Sequence, residues 1–196
     1  MSAKLISIIG PPAVGKTTLA ETLAAELPAE VIYEDFSGNP FLADSYLGKE
    51  EARLPAQLYY LMSRAGQLSL LSWPAGGIRV SDYGFCQDRI YASLRLTDVE
   101  MKLYDRIAQR LERLVKQPDL VIQLDASDHT LLRRIADRGR QFEKAITADF
   151  IASIRKAYET ARRNFRCEVI NADCDRIDLR NSAACAELLG EIRKKL

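Results

Sequence analysis

Apolar positions recur along the chain in two rhythms. Short apolar-centred runs, KLISIIG (4–10), EVIYED (30–35), IRVSDY (78–83), DLVIQLDA (119–126) and CEVINA (167–172), predict five strands. Between them the spacing widens to helical steps. Leu19, Leu23 and Leu27 share one face of TTLAETLAAEL (17–27). Residues 52–73 predict a long helix with Pro55 near its start, where a missing N–H is best tolerated, and with PAGG (74–77) as its stop. Thr97 and Glu100 form a capping-box pattern, and the helix behind them is predicted to bury Leu103, Ile107, Leu111 and Leu114. Further helices are predicted through LLRRIA (131–136), over 149–163 and over 182–194, while FSGNPFL (36–42) reads as a turn. Met62 and Trp73 read as core, and His129 as lying near a helix N-terminus. Strands alternating with helices imply an α/β fold: a five-stranded parallel sheet with helices on both faces, here read as one domain over residues 1–196.

The first strand runs straight into GPPAVGKT, which is Gly10, Pro11, Pro12, Ala13, Val14, Gly15, Lys16 and Thr17, followed by Thr18. This matches G-x-x-x-x-G-K-[ST], and strand before and helix after is the context the motif needs. Backbone N–H groups of such a loop converge on phosphates at a helix N-terminus. Lys16 would reach the β- and γ-phosphates, and Thr17 would ligand Mg2+. ATP or GTP binding is therefore the expectation. Arg133, Arg134, Arg138 and Arg140 gather around Gly139 in the segment after the fourth strand. Arg138 and Arg140 are read as a lid that closes on transferring charge, with Arg134 at the donor phosphates.

Composition narrows the partners. Net charge is +1, and no basic surplus argues for a long nucleic-acid groove. The start MSAKLISIIGPP is too short an apolar run for a membrane span or signal peptide and reads as a strand. Cys86, Cys167, Cys174 and Cys185 lack C-x-x-C spacing, which favours a reducing cytoplasm.

A phosphate loop names the donor and leaves the acceptor open. YED (33–35) ends the second strand, and ligands of open parallel sheets sit beyond the carboxyl ends of strands. Glu34 or Asp35 there could accept a hydroxyl proton during phosphoryl transfer. In QLYYLMSR, Gln57 and Arg64 are seven residues apart and so share one helical face, with Tyr60 between them. Together these positions resemble the deoxynucleoside kinase family, the deoxycytidine, deoxyadenosine and deoxyguanosine kinases. Glu34 matches the glutamate ending the family's second strand. Tyr46, eleven residues before Gln57, and Arg64, seven after it, match in spacing. So do Asp82, six before the Asp88–Arg89 pair, and the RGRQFE lid with Arg138, Arg140 and Glu143.

The resemblance implies a P-loop kinase that phosphorylates the 5′-hydroxyl of a deoxynucleoside with ATP and Mg2+, as a cytoplasmic salvage enzyme and homodimer. It implies Glu34 as base, Gln57 on the base edge, and an Arg64–Asp88 pair at the far end of the pocket. Tyr46 and Glu143 would hold the sugar 3′-hydroxyl. A purine or cytosine base is expected over thymine. Phe36, Phe41, Phe85 and Tyr91 are candidates to stack on the base. The chain departs from the pattern in two places: Glu34 is followed by Asp35 instead of proline, and DYG (82–84) replaces Glu-Arg-Ser or Asp-Arg-Ser. Asp35 is expected to raise its neighbour's proton affinity. The family arginine is lost at Tyr83, while Asp82 can still help hold Mg2+ with Thr17. Two other readings stay open: a nucleoside monophosphate kinase resembling thymidylate kinase, and a non-catalytic nucleotide-binding subunit.

Overall fold

A computed structural model describes residues 2–162, 165–181 and 183–196. Its five strands are β1 (Lys4–Ile9), β2 (Glu30–Ile32), β3 (Ile78–Ser81), β4 (Leu120–Asp125) and β5 (Glu168–Asp173). They form one sheet in the order β2-β3-β1-β4-β5, every pair parallel. The register sets Ile6 beside Val80 and Ile8 beside Ile122. Among the described residues, eight α-helices cover it: α1 (Lys16–Glu26), α2 (Leu42–Tyr46), α3 (Glu50–Gln67), α4 (Gln87–Arg95), α5 (Asp98–Leu111), α6 (Asp128–Arg138), α7 (Ala148–Ala161) and α8 (Ala186–Lys195).

Alternation along β1 divides the core. Ile6 and Ile8 face Leu19 and Leu23 of α1, Leu131 and Ile135 of α6, and Leu188 and Ile192 of α8. Ile9 points the other way, towards Ile90 of α4 and Ile154 and Tyr158 of α7. With both faces covered, β1 and β4 are buried almost end to end, as central parallel strands must be. Because β1 is central and the chain moves first to one side of it and then to the other, the crevice beyond its C-terminal end is where a ligand belongs.

Several expectations shift. Strand β2 pairs as far as Ile32, so Tyr33 to Asp35 leave the sheet, and Tyr33 and Glu34 line that crevice. Helix α3 ends at Gln67, well before residue 73, because the chain turns there to pair with the segment before β4. Leu70 N–H donates to Leu114 O and Lys116 N–H to Leu68 O. Pro55 is accommodated inside α3. On α5 the buried stripe is centred on Tyr104, packed with Leu61 and Ala92, and Leu103 and Leu114 are exposed instead of buried. Met62 is exposed as well. Trp73 is half-buried, and its indole N–H donates to Ala3 O. His129 does sit in the first turn of α6, exposed. Residues 163 and 182, at the ends of two expected helices, lie outside the described residues. The segments 42–46 and 87–95, assigned no helix from the sequence, are α2 and α4.

Candidate active site

The loops after β1, β2 and β3 open onto one cavity of about 960 Å3. Its floor is the P-loop. Gly10 has φ +148°, and a Cβ there would stand 2.4 Å from Leu124 O, so only glycine lets the loop turn against β4. Helices α5, α6 and α7 carry side-chain caps from Thr97, Ser127 and Thr147, and the Thr97–Glu100 capping box forms as expected. Helix α1 has neither a side-chain cap nor a carboxylate in its first turn. Its free N–H groups and positive end therefore face the cavity, which suits an anion. Lys16 folds over the loop and donates to Gly10 O (2.9 Å) and Pro11 O (3.0 Å). Burial lowers its pKa to about 8, against the opposing pull of Glu34 and Asp82.

Asp82 joins the donor and acceptor walls. One carboxylate oxygen accepts from Thr17 Oγ1 at 2.6 Å and the other from the Glu34 backbone N–H at 2.7 Å. Burial raises its pKa. Glu34 thus hangs beside the P-loop, its side chain ion-paired with Arg64 and within 3.4 Å of Gln87 Nε2. Asp35 points elsewhere. It accepts from Tyr59 Oη (2.6 Å) and Gly38 N–H (2.9 Å), which clasps the turn after β2 to α3 and holds its own pKa down. Asp35 is therefore a tether for the turn, in place of the expected second carboxylate acting on the base.

Gln57 and Arg64 do share the buried face of α3, at 5% and 3% exposure, and both line the cavity. Arg64 lies between Glu34 and Asp88 (2.8 Å), with the rings of Tyr60 and Tyr83 at 5.1 and 5.2 Å. Burial raises the Asp88 carboxyl to about 7 despite Arg64. Arg64 Nε, Gln87 Oε1 and Asp88 Oδ2 are buried without a hydrogen-bond partner among the described residues. Arg64, Gln87 and Asp88 line the cavity, so these atoms stand where a polar ligand would pair with them.

The segment expected to form a lid lines the cavity with Arg138, Arg140, Phe142 and Glu143. Arg138 makes a two-pronged pair with buried Glu143 (3.0 and 2.5 Å), and Arg140 stacks on Phe36 at 3.8 Å. Tyr46 and Tyr91 line the same cavity. Arg134 lines it too, but two of its N–H groups go to Val14 O and Cys174 O, both at 3.0 Å, so it also braces the P-loop. Of the stacking candidates, Phe36 and Tyr91 are at the cavity, whereas Phe41 is exposed and Phe85 packs in the core.

Tyr83, which stands in place of the expected arginine, is fully buried and donates to Gln67 Oε1 at 2.7 Å. A Cβ at Gly84 would lie 2.6 Å from Ile9 Cγ2, so serine would not fit there without movement. Sequence reading did not find Gln87, Arg95, Phe142 or the 178–180 loop, all of which line the cavity. Gln87 stands next to Asp88 and was within reach. The others are brought in by packing between distant segments.

The comparisons accord with this geometry. A family model described as deoxynucleoside kinase matches residues 6–195. A deoxyadenosine kinase of Dictyostelium discoideum is 32% identical over 78% of this chain, and the match spans 64% of that enzyme's length. A deoxyguanosine kinase of Bacillus subtilis is 32% identical over 82% of this chain and 79% of its own. Among solved structures, deoxyadenosine kinase from M. mycoides with dCMP and a flexible dCDP superposes with a TM-score of 0.82 at 21% identity, covering 97% of this chain and 98% of that one. That likeness matches the five-stranded P-loop fold. The chain belongs to the deoxynucleoside kinase family.

Proposed function

We propose that this protein transfers phosphate from ATP to the 5′-hydroxyl of a deoxynucleoside, giving the 5′-monophosphate in nucleotide salvage. The observation that carries the reading is Asp82, which ties the phosphate-loop hydroxyl of Thr17 and the backbone of Glu34 into one unit. A donor phosphate on the α1 N-terminus and an acceptor hydroxyl at Glu34 then share a single cavity.

Glu34 is the base that takes the hydroxyl proton. Arg64 holds its carboxylate in place. Lys16, Arg138 and Arg140 face the charge that spreads over the transferring group. For the lid arginines this requires Arg138 to share or leave Glu143 when phosphate arrives. Thr17 and Asp82 offer two oxygen ligands 2.6 Å apart, with no cluster of three or more His, Cys, Asp or Glu among the described residues. That sparse oxygen set suits Mg2+, which keeps several waters and leans on substrate phosphates; when bound it neutralises charge between them.

The acceptor end fits a nucleoside. Gln57 offers a donor and an acceptor to a base edge. Arg64, Gln87 and Asp88 supply further unpaired polar atoms nearby. Such a polar, filled wall favours an amino- or oxo-edged purine or cytosine over a base carrying a methyl group. Tyr46 and Glu143 hold the sugar 3′-hydroxyl. Residues 1–196 form one such P-loop domain. It works as a homodimer in the cytoplasm, which fits exposed Met62 on α3 and exposed Val99 and Leu103 on α5, and four free cysteines. No helix among the described residues is long and apolar enough to cross a membrane.

The test is an ATP-consumption screen over deoxynucleosides, ribonucleosides and their monophosphates. Turnover with deoxynucleosides, weakest with thymidine, is expected. Turnover only with monophosphates would shift the reading to a monophosphate kinase, and none at all to a nucleotide-binding subunit.

A further inference from the structure

A guanidinium that forms no ion pair among the described residues stands over the Tyr46 ring. Arg95 is the last residue of α4. Its guanidinium carbon lies 4.1 Å from the centroid of the Tyr46 ring and 5.0 Å from that of Phe150 on α7. Among the described residues it forms no ion pair. Its remaining polar contacts are long ones, from Nη1 to Ser45 Oγ (3.4 Å) and Ser45 O (3.5 Å). On its other side, Tyr46 meets Phe142 of the lid, ring centroids 5.4 Å apart. Phe142 adjoins Glu143, the buried lid carboxylate.

This arrangement has a cost and therefore asks for a reason. An arginine between two rings forgoes a carboxylate and much of its water, and the rings' negative faces repay it only in part. What the arrangement fixes is Tyr46. Helix α2 is only five residues long and ends at Tyr46, so its own hydrogen bonds give the ring little support. Arg95 grips the ring from behind and the backbone just before it. Phe142 closes the front edge and links the ring to the lid. A hydroxyl presented from so short a helix would otherwise lose rotamer freedom each time a ligand bound it.

We propose that Arg95 is a positioning residue for Tyr46 and, through it, sets recognition of the sugar 3′-hydroxyl. The inference rests on the reading of Tyr46 as a 3′-hydroxyl contact. Arg95 acts by holding the ring and by drawing electron density from it, which makes the phenol a better donor. Its part is played through the ring, not on the sugar.

The test compares kcat/KM for an accepted deoxynucleoside and its 2′,3′-dideoxy analogue in the parent enzyme, Arg95→Met, Arg95→Lys and Tyr46→Phe. Arg95→Met is expected to lower kcat/KM for the deoxynucleoside about three- to thirty-fold, mostly through KM, and to change the dideoxy analogue less than about twofold. Arg95→Lys, which keeps a cation over the ring, should recover part of the loss. If Tyr46→Phe shows the selective loss and Arg95→Met penalises both substrates equally, Arg95 is merely structural and the proposal is overturned. If Tyr46→Phe penalises both equally, the reading of Tyr46 itself falls, and the proposal with it. Should Arg95→Met not fold, Phe150→Leu, which removes the second ring, replaces it. A loss confined to the 3′-hydroxyl substrate supports the proposal, and an equal loss on both overturns it.

Discussion

Arg64→Met is the perturbation that separates a desolvated ion cluster from an ordinary surface pair. Arg64 and Asp88 have side chains only 4% and 2% exposed and stand 2.8 Å apart. Removing one partner of such a buried pair costs about 3–5 kcal/mol, because the other charge is left without compensation. Asp88 can avoid part of that cost by taking a proton, since burial already raises it to about 7. Loss of Arg64 removes the opposing pull, so its pKa rises further. A carboxyl raised above its ordinary 3.8 binds a proton in the folded state that the unfolded chain does not. Its stabilising contribution is full below 3.8 and is lost as pH climbs through the folded value. In the parent that loss ends near pH 7, whereas in Arg64→Met it continues upward. The variant should therefore be about 1 kcal/mol more destabilised, relative to parent, at pH 8 than at pH 6.

Urea denaturation followed by circular dichroism at the two pH values measures this. The double variant Arg64→Met with Asp88→Ala removes both charges and should lose the extra pH dependence. If it folds, its kcat/KM ratios across the four deoxynucleosides should move towards thymidine, because the polar far wall of the pocket is opened. An Arg64→Met variant destabilised by less than about 1 kcal/mol at both pH values would refute the picture of a desolvated cluster. Unchanged ratios in the double variant would show that these residues do not read the base.

Three further outcomes are expected. Because burial lowers Lys16 to about 8, its charge is present below that pH and lost above it. So kcat/KM for ATP should fall by about tenfold per pH unit above 8, and Lys16→Arg should lack that limb however low its activity; the same limb in both would assign it elsewhere. Tyr59→Phe removes the hydrogen bond to Asp35 and should lower the urea midpoint slightly, with a fall in kcat as the turn carrying Glu34 loosens; unchanged kcat would leave the clasp without a catalytic role. Gly10→Ala forces a Cβ to within 2.4 Å of a backbone oxygen and should abolish ATP binding by calorimetry. Tight binding there would contradict the described loop.

What could be read from the chain is what is local. The phosphate loop is contiguous, and strand before and helix after are visible beside it. Gln57 and Arg64 obey helical spacing, so their shared face follows from arithmetic. The five strands were visible because parallel strands are apolar on both sides. Helix α4 was not, because Gln87 and Asp88 of QDRIYASLR go inside with Ile90 and Ala92, and no local rule sends a carboxylate into the core. On α5 the expected stripe through Leu103 gave way to Tyr104, whose larger ring fills the space beside Leu61 and Ala92. The end of α3 is set by pairing with a segment over forty residues on, which no local rule anticipates. Arg95 and Phe142 reach Tyr46 from separate elements, so only the packed structure shows them together.

The account stands on Glu34 as the proton acceptor of phosphoryl transfer, and Glu34→Gln tests it most directly. The substitution keeps size and leaves Arg64 paired with Asp88, so the pocket should keep its shape. The measurement is kcat in a coupled ATP-consumption assay, alongside nucleoside affinity by calorimetry. A fall in kcat of about 10²–10⁴ with nucleoside Kd within a few-fold of the parent is the expected result. Unchanged kcat would contradict it and remove Glu34 from the chemistry.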